Sequence, residues 1–226
     1  MRQVQMRQVQ LPMPIWDIPI RLFHWLLVVL VGFMWLSAEK GWMDYHMWAG
    51  YAVLSLLVFR VIWGFVGSDT ARFAFFLKSP FAALRHLTHI TKREPDTELG
   101  HNAAGGWMVL GLLAVLFAQV ITGLGANDDI SVEGPLALRL GKSLSDEFTH
   151  YHHLLFKVIQ VAVALHVLAI VAYAVLKRHN LVRPMITGKK RMPGAMKAPR
   201  MISPVLALIV YVLVAVALYA VWRWVL

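Results

Sequence analysis

The sequence predicts an all-α integral membrane protein, a helical bundle of four helices with a fifth spanning helix appended. Three observations carry this. The 226 residues are 59% hydrophobic with mean hydropathy +0.62, which is not a soluble composition. Five apolar runs, near 18–37, 47–66, 103–126, 154–176 and 205–226, are long enough to cross a bilayer as helices. Lysine and arginine concentrate in particular connections, as cytoplasmic loops require. The expected organisation is a tail over 1–14, a four-helix domain over 15–190, and a linker with the fifth helix over 191–226.

The chain has no cysteine. That removes disulfides, thiolate-bound zinc, iron–sulfur clusters and covalent C-x-x-C-H haem attachment. The net charge of +10 is not a nucleic-acid signal, because the charge is sorted by loop. Lys177, Arg178, Arg183, Lys189, Lys190, Arg191, Lys197 and Arg200 follow the fourth span with no acid among them. Arg72, Lys78, Arg85, Lys92 and Arg93 follow the second. The loop from Asn127 to Phe148 instead carries Asp128, Asp129, Glu133, Asp146 and Glu147 against Arg139 and Lys142. The chain therefore reads as a multi-pass membrane protein with its N-terminus on the cytoplasmic side, its C-terminus on the opposite side, and lipid around it.

Residues 1–10 repeat MRQVQ and are set aside from the fold. The first span opens on WDIPIRLFHW, with Asp17 placed to cap and Pro19 in the first turn, where a missing N–H costs nothing. Arg21 precedes His24 by three residues and shares its side of the helix. The second span carries His46 at its start and Arg60 fourteen residues later, on the same face. The third opens GHNAAGGWM, whose paired glycines allow close approach of another helix or a planar ligand. The fourth carries His152 and His153 at one end and His166 at the other. The fifth has no histidine and reads as peripheral.

Depth sorts the histidines into two levels. His24 and His166 lie at the inner level; His46 lies at the outer level with His152 or His153. Fourteen residues separate His152 from His166, about 40° short of four turns and about 21 Å along the axis, so both share one face. His153 is displaced from His166 by about 140° and points away. Each level thus receives one imidazole from the fourth helix and one from another helix, which is what coordination of a haem iron from both sides needs. Arg21 and Arg60 lie at the right depth to neutralise haem propionates. For any one histidine the plainer reading is a hydrogen-bonded residue at a helix end. Four at matched depths weaken it, because intramembrane imidazoles are costly. His86, His89, His101, His150 and His179 keep the loop or interface reading, and Arg60 alone also fits a snorkelling arginine.

The stretches WDIPIRLFHW, MDYHMWAGYAVLSLLVFRVIWGFVG, GHNAAGGWM, the H-x13-H of the fourth span and NLVRPMITGKK resemble the bacterial di-haem cytochrome b family. Its members include the membrane subunit of nickel–iron hydrogenases and a four-helix cytochrome that oxidises superoxide. The resemblance covers about residues 15–190. It implies two non-covalent b haems with bis-histidine ligation, carried here onto His24, His46, His152 and His166, and exchange of electrons with quinone. The fifth helix fits the hydrogenase-type members better. The expected function is electron transfer between the quinone pool and a periplasmic redox protein, either a cytochrome c or a hydrogenase-like complex. Superoxide:quinone oxidoreduction is the alternative, and a histidine-lined proton or metal transporter is the rival of another class. Self-association stays open.

Overall fold

The computed structural model describes residues 10–88, 97–194 and 196–225. The MRQVQ repeat (apart from Gln10), His89, Lys92 and Arg93 lie outside them. Among the described residues five helices are long and apolar enough to cross a membrane: α1 (Ile18–Glu39), α2 (Met43–Val66), α5 (Ala103–Gly125), α7 (Lys142–Ala172) and α9 (Pro204–Val225). Shorter helices occupy the connections: α3 (Phe73–Phe76), α4 (Pro80–Thr88), α6 (Ala137–Leu140) and α8 (Val182–Thr187).

Local chemistry starts the helices. Asp17 Oδ1 accepts from Ile20 N–H at 2.8 Å, a cap of the kind that contributes about 1 kcal/mol. Its Oδ2 accepts from Trp63 Nε1–H at 3.0 Å, which ties the start of α1 to the end of α2. Asn102 Oδ1 caps α5 through Gly105 N–H at 2.7 Å, and its amide donates to Tyr173 Oη at 2.9 Å.

The spanning helices pack in a chain. α1 lies on α2, α2 on α5 and α9, and α5 on α7. α2 is the central one, burying Val53, Leu56, Leu57, Phe59, Arg60 and Trp63. By contrast α7 leaves Leu154, Val161, Leu165 and Leu168 exposed, a surface suited to lipid and not to water. Between α1 and α7 the approach is made by side chains, with the Trp35 and Phe156 rings 5.9 Å apart.

Two features differ from the expectation. α7 begins at Lys142, well before the apolar run, because its first turns are amphipathic and Lys142 bonds Asp146 one turn on. The segment 142–148 is therefore helix and not loop. Beyond Ala172 the helix widens into a π turn over Tyr173–Lys177 and stops at Arg178, which adopts φ 58°. The second feature is a pair of strands, β1 (Gln10–Pro14) and β2 (Lys189–Pro193), antiparallel from Gln10↔Pro193 to Pro14↔Lys189. Gly188 carbonyl accepts from Ile15 N–H at 2.8 Å and Trp16 N–H at 3.1 Å and closes this clasp onto α1. The bundle thus has a strand end and, opposite, a loop end formed by 126–141.

Candidate functional site: two facing histidine pairs

Two imidazole pairs face each other across the α1/α2 and α5/α7 halves. At the strand end, His24 of α1 and His166 of α7 have ring centroids 6.5 Å apart. At the loop end, His46 of α2 and His152 of α7 stand at 6.2 Å. A metal–imidazole bond is about 2.0 Å, and the nitrogen lies about 1.1 Å from its ring centre. Two imidazoles on opposite sides of one metal therefore have centroids about 6.2 Å apart. Both pairs fit that spacing.

At the loop end the rest of the imidazole is fixed by backbone. His46 Nδ1 lies 3.0 Å from the Met34 carbonyl, and His152 Nδ1 lies 2.9 Å from the Gln119 carbonyl. A carbonyl only accepts, so each Nδ1 carries the proton and each Nε2 keeps its lone pair. This is the tautomer a metal-binding imidazole uses, with the second nitrogen held by a backbone oxygen. Ser37 Oγ at 3.3 Å from His46 and Thr122 Oγ1 at 3.4 Å from His152 flank the same nitrogens. Gly123 leaves room for the His152 ring: a Cβ there would meet Cε1 at 2.8 Å. His153 points elsewhere. It is exposed and lines an open cleft of about 390 Å³ with Asp146, His150 and Lys157.

At the strand end the polar groups are not satisfied by the protein. Among the described residues, five buried side-chain polar atoms have no partner, and four are here or beside it: Arg21 Nε, His24 Nδ1, Arg60 Nη1 and His101 Nδ1. The fifth is Gln119 Oε1, whose amide nitrogen lies 3.3 Å from His152 Nε2. Unpaired buried polar groups cost free energy, and such groups are rare. The two arginine nitrogens and the His101 nitrogen together suit an anionic acceptor such as a carboxylate. Arg21 is partly engaged, since one guanidinium nitrogen donates to the Ile186 carbonyl. Arg60 is buried and lies over the Phe73 and Phe76 rings at 5.0 and 6.0 Å. The donor set and both ring spacings therefore fit haem with its two propionates.

His101 is the residue that sequence reasoning left in a loop. Its ring packs on Trp16 at 4.7 Å and Phe76 at 5.0 Å. Removal from water, then the charges of Arg60, His166 and His24, push its pKa down to about 3. GHNA preceding an apolar run was the available signal, but its burial depends on residues 16 and 76. His86 is also engaged, 2.5 Å from Tyr173 Oη. Among the described residues no group of three or more histidine, aspartate or glutamate side chains could hold a bare metal ion.

Comparison with known proteins identifies the family. The family model described as prokaryotic cytochrome b561 matches residues 15–188. A probable Ni/Fe-hydrogenase B-type cytochrome subunit from Rhizobium leguminosarum bv. viciae is 28% identical over 213 residues, covering 78% of this chain and 87% of that one. No solved structure matches. The match spans α1, α2 and α7, which carry the two histidine pairs, together with α5, and this chain belongs to the prokaryotic cytochrome b561 family, membrane electron-transfer proteins of bacteria whose cofactor is haem b.

Proposed function

We propose that this protein carries electrons across the bacterial inner membrane between quinone and a redox partner at the periplasmic face, using two haem b groups. The observation that carries this reading is the pair of facing imidazole couples, at 6.5 and 6.2 Å. His24 and His166 would hold one haem at the cytoplasmic level; His46 and His152 would hold the other at the periplasmic level. Arg21 and Arg60 supply cationic donors to propionates of the inner haem. Residues 15–190 make up the di-haem unit, and 191–226 add the linker and fifth helix.

Haem supplies reversible one-electron storage; the protein supplies position and electrostatics. The carbonyls of Met34 and Gln119 hold His46 and His152 in one tautomer and one rotation. The apolar walls of α1, α2, α5 and α7 exclude water and so set the local dielectric. The 14 residues from His152 to His166 place the two levels about 21 Å apart along α7, so the pair spans most of the hydrocarbon thickness.

The basic connections after α2 and α7 support a cytoplasmic strand end, and the acidic loop end supports a periplasmic one. The hydrogenase-type relative supports a redox complex as the partner. Five acids against two bases over 127–148 suit a partner with a basic face, whose association weakens as salt rises. The same acidity disfavours an anionic substrate such as superoxide at that face. The test is a reduced-minus-oxidised spectrum with haem counting on the purified protein, followed by reduction with a quinol. Two haem b per chain, both reducible by quinol, are expected. One haem or none per chain refutes the two-level reading.

A further inference from the structure

The geometry points to a carboxylate pocket at the strand end built jointly by Arg60 and His101, in which His101 is the second donor to a propionate of the haem at that level. This rests on the two-haem reading above. Arg60 Nη1 and His101 Nδ1 are both shielded from solvent and both without a partner. They border the same ring: Arg60 Cζ lies 6.0 Å from the Phe76 centroid and the His101 ring 5.0 Å from it. Phe73 completes the seat under Arg60 at 5.0 Å, and Trp16 completes the seat under His101 at 4.7 Å.

The seat is shaped by close backbone approach. At Gly64 a Cβ would meet the Phe73 ring at 2.1 Å, and at Gly106 a Cβ would meet the Phe76 carbonyl oxygen at 2.7 Å. These two glycines let α2 and α5 bring residues 73–76 under the two donors. Among the described residues no carboxylate is bonded to either unpartnered nitrogen. Asp17 spends its oxygens on Ile20 N–H and Trp63 Nε1–H, and no ion pair among the described residues includes Arg60.

A carboxylate is the ligand class that answers both donors, because its two oxygens accept one guanidinium and one imidazole N–H. The burial that lowers the pKa of His101 keeps the imidazole neutral, so it contributes a donor and not a second charge. Donors that neutralise a propionate remove negative charge from beside the iron. They therefore favour the reduced state and raise that haem's potential. At the opposite level the acidic loop acts the other way. His101 is then a positioning residue that makes the strand-end haem the higher-potential member of the pair.

The experiment is potentiometric titration of the holoprotein, followed by visible and EPR spectra, in the parent chain and in His101→Phe, His101→Gln and Arg60→Gln. The strand-end haem is identified as the one that survives His152→Ala. His101→Phe should lower the potential of that haem by at least about 59 mV, a tenfold change in its one-electron equilibrium, with the bis-imidazole spectrum retained and the other haem unmoved. His101→Gln, which keeps an N–H donor, should restore most of the shift; Arg60→Gln should lower the same potential further. If His101→Phe instead loses that haem while His101→Gln keeps it, the donor is equally required. Loss in both variants, or an unmoved potential in His101→Phe with two haems bound, overturns the pocket. Fewer than two haems in the parent chain overturns the underlying reading instead.

Discussion

At His152 the helix phase and the hydrogen bonds agree on one orientation. The ring turns toward His46 at 6.2 Å while its Nδ1 is held by the Gln119 carbonyl. His153, one residue on, is rotated by about 100° and lies on the exposed side of α7. His152→Ala should therefore leave one haem per chain with an intact spectrum, and His153→Ala should leave two. Haem quantification with EPR checks both, and the reverse outcome would remove His152 from the ligand set. His101 teaches the opposite lesson. The local GHNA signal does not by itself enclose the ring; Trp16 and Phe76 do that, from segments 85 and 25 positions away.

At the scale of the element, α5 acts as a backboard for α7. Gly123 sits where any side chain would press on the His152 ring at 2.8 Å. Gly123→Val should displace that imidazole and remove the loop-end haem, and Gly123→Ala should weaken it, with the strand-end haem retained; haem stoichiometry and redox titration read the difference. The loop end has its own local device. Asp128 Oδ1 accepts from the amides of Ile130, Ser131 and Val132 at 3.0, 2.9 and 2.8 Å. These bonds, led by Val132, hold its carboxyl below the ordinary value of 3.8. With the folded pKa depressed, the turn's extra stability is fully present above 3.8 and is lost as pH falls through the lower, folded value. The protection of those three amides against hydrogen exchange, taken relative to an unstructured chain at the same pH, should hold from neutral pH down to 3.8 and fall only in stronger acid; a fall beginning near pH 6 would refute it. Neither device reads directly from composition, because a glycine in an apolar run and an aspartate in a loop each have many uses.

For the whole molecule, charge sorts the two ends of the bundle. The lysine and arginine imbalance supports the proposed cytoplasmic strand end. Ser131 and Thr187 are both exposed, one at each end, and the chain has no cysteine of its own. Ser131→Cys should react with an impermeant thiol reagent added outside intact cells, and Thr187→Cys only after permeabilisation. The reverse pattern would exchange the inner and outer haems and move the proposed docking face. The β1–β2 clasp should hold regardless of orientation, since it joins residues 10–14 to 189–193 by main-chain pairing.

The sequence by itself determined the five spans, their order and the two histidine levels. The reason is the solvent: a bilayer requires each crossing segment to satisfy its own backbone, so hydropathy over about 20 residues is decisive. Helical periodicity then phased His152 with His166 without help from packing. The early start of α7, the β1–β2 clasp, and the gathering of Arg60, His101, Trp16 and Phe76 were decided only by the tertiary structure. Each depends on contacts between segments far apart in the chain, where local propensity is silent. The polar stretches 67–102 and 177–201 carry no period long enough to announce what they pack against. There the fold is set by which donors and rings meet, and that information exists only once the helices have come together.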